Sequence, residues 1–357
     1  MNSNKLTVAA IFTLVSLVGG APVSAQNTPW SAATTSANTA RQHGDNAVAA
    51  TFYKQAIEIQ KTTLGADNAE VAISLNNLAV FYQDQSMYPQ AEQSYRQSLA
   101  ILQKDAAQNA STALTMNNLA ALYHDQNMDS KAAPMYARAL KLFAALGSKY
   151  NAEAAVAASS LADISFAQNQ YDNAEAYYLQ ALTLWNAEGK SETTDMADAF
   201  FHLGEIYHFR SNNNDAAPVY AHALSIWENA SMMDSANAIS AQATLGNIYR
   251  AEGKYAQAEP LLARTLQAKE HKLGSDNLEV ADSLNNLALA YYCESKYDAA
   301  EPLYRRALEI REKNLGSSDP VVLQTIQFYA GVLRQEGRKD EAEKIEARAA
   351  SSSIARL

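Results

Sequence analysis

Leu284-Asn285-Asn286-Leu287-Ala288 opens a pattern that fills residues 283–316 and recurs along most of the chain. Moving away from Leu287 in steps of 42 residues, with a single step of 41, reaches these equivalent positions: Leu78, Leu119, Leu161, Leu203, Leu245 and Tyr329. We call these seven the register residues. A register kept over most of a chain is the signature of a repeat protein. The sequence therefore predicts stacked supersecondary units that share one core.

Each unit carries two sets of apolar residues at helical spacing. Tyr stands four residues after the register residue in five units, and Ala stands thirteen residues after it in all seven. Positions +17 and +21 are mostly Tyr and Leu. The Ala residues at +13 are Ala91, Ala132, Ala174, Ala216, Ala258, Ala300 and Ala342. Residues spaced by four share one face of a helix. Each unit is therefore predicted to be a helix A, a short turn and a helix B.

The residue types at these positions have a physical reason. Ala at +13 lets two helices cross closely, where a larger side chain would overpack the crossing. The Tyr rings at +4 and +17 fill the space on either side, and their hydroxyls can reach water or a carbonyl. Gly closes several B helices, and Asp follows as the expected start of the next A helix. These boundary residues are Gly65, Gly274, Gly316, Asp67, Asp276 and Asp319.

Composition narrows the class of protein. The chain has 357 residues, 48% of them hydrophobic, with a net charge of −10. An acidic chain without a basic face disfavours nucleic acid as a partner. Beyond the N-terminus no apolar run approaches the roughly 20 residues that span a bilayer. We therefore expect no membrane insertion of the mature chain.

The N-terminus predicts export. Lys5 is followed by an apolar run over residues 6–20 and by Val23-Ser24-Ala25, a small-residue cleavage site. This pattern is typical of a signal peptide, here over residues 1–25, and indicates a periplasmic or secreted protein. The only cysteine is Cys293, so a lipid anchor at the cleavage site and an intrachain disulfide are both excluded. Cys293 is predicted to be buried at a helix end.

The rest of the chain is organised around the repeats. Residues 26–39 are predicted to be a loosely ordered lead-in, and residues 40–350 a solenoid of about seven repeats. A weaker unit in register with Ser36 comes first, as an N-terminal cap or a degenerate repeat. The final helix, over residues 339–348, is mostly charged, which suits a C-terminal cap. Residues 351–357 are a tail.

The pattern resembles the tetratricopeptide repeat. Leu-Asn-Asn-Leu-Ala at 284–288 and Tyr-x-x-Ala-Glu-Pro-Leu-Tyr-x-x-Ala-Leu at 297–308 are similar to the 42-residue repeats of the kinesin-light-chain type. The resemblance implies an all-α, right-handed superhelical solenoid, with A helices lining a concave groove that binds an extended peptide. It implies no motor-complex role, because the chain begins with an export signal. Its inter-repeat linkers also lack the His-Pro common in that family.

By this resemblance, the residues two before, two after and five after each register residue face the groove. With the neighbouring asparagines, these candidate ligand-binding residues are Asn76, Asn77, Asn117, Asn118, His124, Phe201, His208, Asn247, Arg250, Asn285, Asn286 and Tyr292. An asparagine amide can both donate to and accept from a peptide backbone. The alternative is that these asparagines bond to an adjacent helix and fix the repeat spacing.

The sequence predicts neither an enzyme nor a cofactor. His202 and His208 lie six residues apart, so they point to different faces of a helix. A metal site at His208 and His222 would need a third ligand that the sequence does not supply. The expected function is an exported scaffold that binds a protein or peptide in its groove. The alternative is a structural part of a cell-envelope assembly that docks through its convex face or its ends.

Overall fold

The protein is all-α, as the repeat pattern predicts. The computed structural model describes residues 28–105, 107, 109–189 and 192–354, and within them it contains sixteen α-helices and no strand. The predicted signal peptide over residues 1–25 lies outside this description. The chain divides into two compact units, Met1–Lys190 and Ser191–Leu357, called here the N-terminal and C-terminal units.

The N-terminal unit consists of four helix pairs, with odd-numbered helices as A and even-numbered helices as B. Its helices are α1 (Ser31–Gln42), α2 (Asn46–Leu64), α3 (Ala69–Asp84), α4 (Tyr88–Leu102), α5 (Asn109–Asp125), α6 (Asp129–Leu146), α7 (Asn151–Ala167) and α8 (Tyr171–Ala187). A short 3-10 segment, Ser148–Tyr150, precedes α7.

The C-terminal unit repeats the same arrangement. Its helices are α9 (Thr194–Phe209), α10 (Asn213–Asn229), α11 (Ala236–Ala251), α12 (Tyr255–Leu273), α13 (Leu278–Cys293), α14 (Tyr297–Leu315), α15 (Pro320–Gln335) and α16 (Lys339–Ile354). No helix in the described part of the chain is long and apolar enough to cross a bilayer.

The turn inside every pair has the same backbone. The residue eight positions after each register residue, and after Ser36, has a positive φ of 57° to 81°. These residues are Gly44, Ser86, Asn127, Asn169, Ser211, Gly253, Ser295 and Gly337. Small residues and Asn tolerate this left-handed region best. The turn therefore repeats even where glycine does not.

The core confirms the packing expected from the sequence. The Ala residues at +13 are all 0% exposed, from Ala91 to Ala342. The A and B helices approach most closely near two glycines. A Cβ on Gly204 would lie 2.7 Å from the Tyr220 ring, and one on Gly246 would lie 2.9 Å from Leu262. Small residues are thus required where the two helices of a pair meet.

The helix boundaries agree only in part with the prediction. Gly65, Gly274 and Gly316 follow the ends of their helices with φ of 83° to 94°, as predicted. Asp319 caps α15 by accepting the backbone N–H of Val321 at 2.8 Å, which is also as predicted.

The other two predicted caps are wrong by one residue. Asn68 and Asn277 cap α3 and α13, each accepting a backbone N–H at 2.8 Å. Asp67 and Asp276 instead bind lysines of the preceding B helices, Lys104 and Lys313. A one-residue shift of this kind is common, because Asn and Asp cap equally well.

The ends of the array differ from the prediction. The loosely ordered lead-in over residues 26–39 is wrong for residues 31–39, which belong to α1. Ala37 and Ala49 are 0% exposed, so α1 and α2 pack as a complete pair. The last helix, α16, extends to Ile354, into the segment predicted to be a tail. The many alanines of α1 make its apolar side weak in the sequence, although they pack closely in the fold.

Candidate ligand-binding face of the A helices

The A helices form rows within each unit. In the N-terminal unit α3 contacts α5, and in the C-terminal unit α11 contacts both α9 and α13. The predicted ligand-binding residues lie on these helices, which brings side chains 42 residues apart in the sequence into contact. Whether such side chains satisfy one another decides what they can offer a ligand.

In the N-terminal unit they largely do. Asn118 Nδ2 donates to Asn76 Oδ1 at 3.2 Å, and Gln83 Nε2 donates to Asp125 Oδ2 at 2.9 Å. Both bonds join α3 to α5. The first is the inter-helix bond that the sequence left open as the alternative role for these asparagines.

Other polar groups of this unit are also paired. His124 Nδ1 lies 2.6 Å from Asp129 Oδ1. Asn117 is the exception, since its side chain is 9% exposed and its Oδ1 has no hydrogen-bond partner among the described residues. Asn77 is exposed.

Phe201 requires a correction. It was predicted to face the groove, but it is 4% exposed and packs against the rings of Tyr220 and Trp227 at 6.0 and 5.9 Å. The residue two before a register leucine is borderline between the groove and the core, and a large aromatic side chain there gains more by burial. Phe201 therefore belongs to the core.

In the C-terminal unit the same positions are not satisfied. Asn247 Oδ1, Arg250 Nε and Asn285 Oδ1 are all buried, and none has a hydrogen-bond partner in the described part of the chain. No carboxylate among the described residues forms an ion pair with Arg250. A buried polar group without a partner costs about 1–3 kcal/mol. These three atoms are thus a local weakness of the unliganded fold.

The buried tyrosines at +17 show the same contrast. Tyr95 OH donates to Gln83 Oε1 at 3.0 Å, and Tyr178 OH donates to Asp163 Oδ1 at 2.7 Å. The hydroxyls of Tyr136 and Tyr220 hydrogen-bond to Ser160 and Thr244. The sequence predicted water or carbonyl partners for this position, whereas the observed partners are side chains.

Tyr304 is the fifth of these tyrosines and has no such partner. It is 1% exposed, and its hydroxyl is buried without a hydrogen bond to any described residue. In the pairs Tyr136–Ser160 and Tyr220–Thr244 the partner stands one residue before the next register residue. After Tyr304 that place is held by Phe328, whose ring stacks on Tyr304 at 6.0 Å.

Phe328 also explains the unsatisfied Asn285. Asn285 corresponds to Asn76 by register, and Phe328 corresponds to Asn118, the residue that donates to Asn76. A phenyl ring cannot donate this hydrogen bond. One aromatic residue therefore accompanies two unpaired groups, a pattern that the sequence contained but that becomes visible only once the helix contacts are known.

The surroundings of Tyr304 include Arg250. Burial raises the pKa of Tyr304, and Cys293, Arg250 and Tyr292 act on it electrostatically. The hydroxyl therefore remains a neutral donor near pH 7. Cys293 was predicted to be buried but is exposed. Since it ends α13, its thiol extends beyond the packed part of the helix, where the thiol raises the pKa of Tyr255.

The remaining predicted residues lie at the surface or partly buried. His208 is exposed, and its Nδ1 lies 2.9 Å from Asn213 Oδ1. Tyr292 is half-buried with its ring 5.5 Å from that of Tyr297, and Asn286 is half-buried. His222 packs on Phe200 at 4.4 Å and bonds to Glu192. The described residues contain no group of three or more His, Cys, Asp or Glu that could hold a metal ion.

Sequence comparison identifies the repeat. The tetratricopeptide repeat profile matches residues 31–104, 71–145, 153–229, 234–313 and 284–352. The chain belongs to the tetratricopeptide repeat family. The first match begins in α1, so the first helix pair is a repeat of this family, and no catalytic family is indicated. The predicted fold class, an all-α solenoid of such repeats, is confirmed.

Several tetratricopeptide repeat structures resemble the chain. BtubC (BKLC) from P. vanneervenii has 24% identity, covers 62% of this chain and 90% of its own, and has a TM-score of 0.46. A kinesin-light-chain-type protein from Podosopora anserina with nearly identical TPR-like repeats has 19% identity, covering 57% and 94%, with a TM-score of 0.45. YrrB, a TPR protein with an unusual peptide-binding site, has 20% identity, covering 60% and 94%, with a TM-score of 0.44. No curated protein matches the chain.

The TPR B helices also form grooves, one in each unit. A groove of about 480 Å³ between α4 and α6 lies over Leu119 and Tyr123. A groove of about 540 Å³ between α10 and α12 lies over Leu245 and Tyr249, the same repeat positions. The first is closed off by bonds from Tyr123 OH to Glu92 at 2.9 Å and from Arg96 to Tyr123 OH at 3.1 Å.

Proposed function

We propose that this protein binds an extended segment of a peptide or protein along the A-helix face, and chiefly along that of the C-terminal unit. Tetratricopeptide repeats are scaffolds for protein–protein interaction, and this chain matches the family over most of its length. The position of the ligand on the A-helix face is the new element.

The observation that carries the proposal is the set of unsatisfied buried atoms. Asn117 Oδ1, Asn247 Oδ1, Asn285 Oδ1 and Arg250 Nε all belong to positions that repeat register assigns to this face. A peptide backbone offers both N–H donors and C=O acceptors along its length. Binding would therefore supply the partners that these groups lack, which makes the interaction favourable irrespective of peptide sequence.

The test uses an array of acetylated and amidated random hexapeptides. We expect the wild-type chain to bind a subset of them, and the triple variant Asn117→Ala, Asn247→Ala, Asn285→Ala to lose most of that binding. Three hydrogen bonds at about 0.5–1.5 kcal/mol each correspond to a loss of roughly tenfold or more. Circular dichroism would show that the variant remains helical.

The matched control lies between the B helices. Arg264 Nη1 and Glu228 Oε1 form an exposed ion pair 3.3 Å apart at the rim of the α10–α12 groove. The double variant Arg264→Ala, Glu228→Ala should keep its peptide binding, since exposed ion pairs contribute little to stability. Equal binding by wild type and triple variant would contradict the proposal.

The two grooves between B helices favour a second candidate function, a structural part of a cell-envelope assembly that docks through this outer face. Their apolar floors recur at the same repeat position in both units. If the B-helix variant loses a partner that the triple variant retains, this second function replaces the first.

We also propose that the protein is exported. The support is the basic start, apolar run and small-residue site over residues 1–25. Mass spectrometry of protein purified from the producing cell should find a mature N-terminus at Gln26. Recovery of the intact N-terminus from the cytoplasm alone would contradict export.

A further inference from the structure

The C-terminal unit has two buried donors that no group of the described chain accepts from, the Tyr304 hydroxyl and Arg250 Nε. Arg250 itself is half-buried, so part of its side chain reaches the surface of α11. The two residues come from different repeats, α11 and α14, and Arg250 acts electrostatically on Tyr304. The donors are therefore close together and face a common space.

The N-terminal unit shows how such positions are normally satisfied. Gln83 stands five residues after its register residue, as Arg250 does, and it donates to Asp125 at 2.9 Å. Asp125 stands six residues after the next register residue, and the residue at that place beside Arg250 is Cys293. The chain thus places a cation where the equivalent acid is missing.

The same comparison applies to Tyr304. Its counterparts Tyr95 and Tyr178 donate to side-chain oxygens on the A helix of their own repeat, at 3.0 and 2.7 Å. The residues at the two partner positions in the repeat of Tyr304 are Leu289 and Tyr292, and Leu289 offers no acceptor. An oxygen from outside the chain would occupy the place of the missing partner.

We propose that Arg250 and Tyr304 bind a carboxylate of the bound peptide, from an acidic side chain or from a C-terminus. The proposal deepens the proposed function and rests on it. Arg presents a planar fork of donors that fits the two oxygens of a carboxylate, and the tyrosine hydroxyl adds another donor. Asn285 Oδ1 accepts from a backbone N–H of the same peptide.

A carboxylate fits better than a phosphate. Recognition of a phosphate group, with nearly two negative charges, uses a cluster of arginines. Here Arg250 is accompanied by Tyr292, Cys293 and Tyr304, while the nearby lysine, Lys296, is bound to Glu259 and Glu294 at 2.9 and 2.8 Å. One unpaired cation matches a single negative charge.

The experiment compares four forms of one hexapeptide chosen from the array for wild-type binding. The first pair is amidated and carries Glu or Gln at one scanned position, and the second pair has Gln there with a free or amidated C-terminus. Isothermal titration should show that one carboxylate form binds at least about tenfold more tightly than its neutral match, as expected for a hydrogen bond to a charged group. The pair that responds identifies the source of the carboxylate.

The variants isolate the two donors. Tyr304→Phe and Arg250→Gln should each reduce the tenfold preference to about twofold or less, with binding of the neutral peptide kept. Tyr304→Phe should not lower the melting temperature, because its hydroxyl bonds to nothing in the described chain. Tyr178→Phe, which loses a bond to Asp163, should lower the melting temperature and leave the preference intact.

The outcomes separate this proposal from the one beneath it. Peptide binding without preference for a carboxylate, or a preference that survives both Tyr304→Phe and Arg250→Gln, overturns the carboxylate site and leaves the proposed function standing. Absence of any hexapeptide binding by the wild-type chain overturns both.

Discussion

The two units use one repeat pattern for different purposes. On the A helices of the N-terminal unit, Asn76, Gln83 and Tyr95 form hydrogen bonds within the chain. At the equivalent places in the C-terminal unit, Asn285 Oδ1, Arg250 Nε and the Tyr304 hydroxyl are buried and unpaired within the described residues. The apolar positions do not differ in this way, since the alanines of both units are equally buried. The difference between the units is therefore polar rather than one of packing.

One residue accounts for much of this difference. Asn118, Ser160 and Thr244 stand immediately before a register residue and bond to a polar group of the preceding repeat. Phe328 holds the same place in the last repeat and keeps only an aromatic stack. A repeat protein can thus open a polar site by a substitution in the neighbouring repeat, while the residues of the site itself keep their identity.

The largest expected effect tests whether packing is equal in the two units. Ala174→Leu and Ala258→Leu change the same repeat position, one in each unit, and both sites are 0% exposed. Each should lower the free energy of unfolding by about 1–3 kcal/mol through overpacking. Urea titration measures both. An unchanged stability for either variant would show that the close crossing at +13 is not general.

A smaller effect tests the polar difference directly. Asn76→Ala removes the acceptor of Asn118 and should lower the free energy of unfolding by about 0.5–1.5 kcal/mol. Asn285→Ala, at the equivalent position, removes an oxygen that has no partner among the described residues, so it should be neutral or slightly stabilising. Equal losses for the two variants would remove the contrast between the units.

The smallest effect concerns two half-buried carboxylates. Burial raises the pKa of Asp198, which accepts a hydrogen bond from Asn237 at 2.8 Å, and burial also raises that of Asp84, which is paired with Arg41 at 2.8 Å. A raised folded-state pKa means that ionisation destabilises the fold as the pH rises. Asp198→Asn should therefore increase the melting temperature at pH 7, since an amide keeps the bond to Asn237 without the buried charge.

The advantage of Asp198→Asn should shrink as the pH falls towards the ordinary range of Asp, near 4, because the wild-type side chain is then also neutral. Asp84→Asn is the control, because it loses the ion pair with Arg41 and should gain less at pH 7. Thermal melts of both variants at several pH values measure this. A gain that does not change with pH would point away from charge burial.

The sequence predicted the elements well because their signals are local. The apolar spacings and Gly65, Gly274 and Gly316 are read within one or two turns of helix. The errors came where the signal was weak or shared by neighbours. The lead-in was misread because α1 is rich in small residues, and Asp67 and Asp276 were preferred over the adjacent asparagines that form the caps.

The face of the A helices was predictable by register, but the state of its groups was not. Periodicity places Asn76 and Asn285 alike, and it places Phe201 beside the groove although the fold buries it. Cys293 was misplaced for the same reason, since a helix end can be packed or open and only the following turn decides.

The sequence by itself determined that this chain is an array of paired helices, because a helical stripe repeated every 42 residues can be buried only by stacking the pairs. Only the tertiary structure decided which polar side chains remain for a ligand. That choice depends on whether a residue in the next repeat, such as Asn118 or Phe328, brings a hydrogen-bonding group to within about 3 Å. Contacts of this kind join positions some 30 to 40 residues apart, and no local pattern contains them.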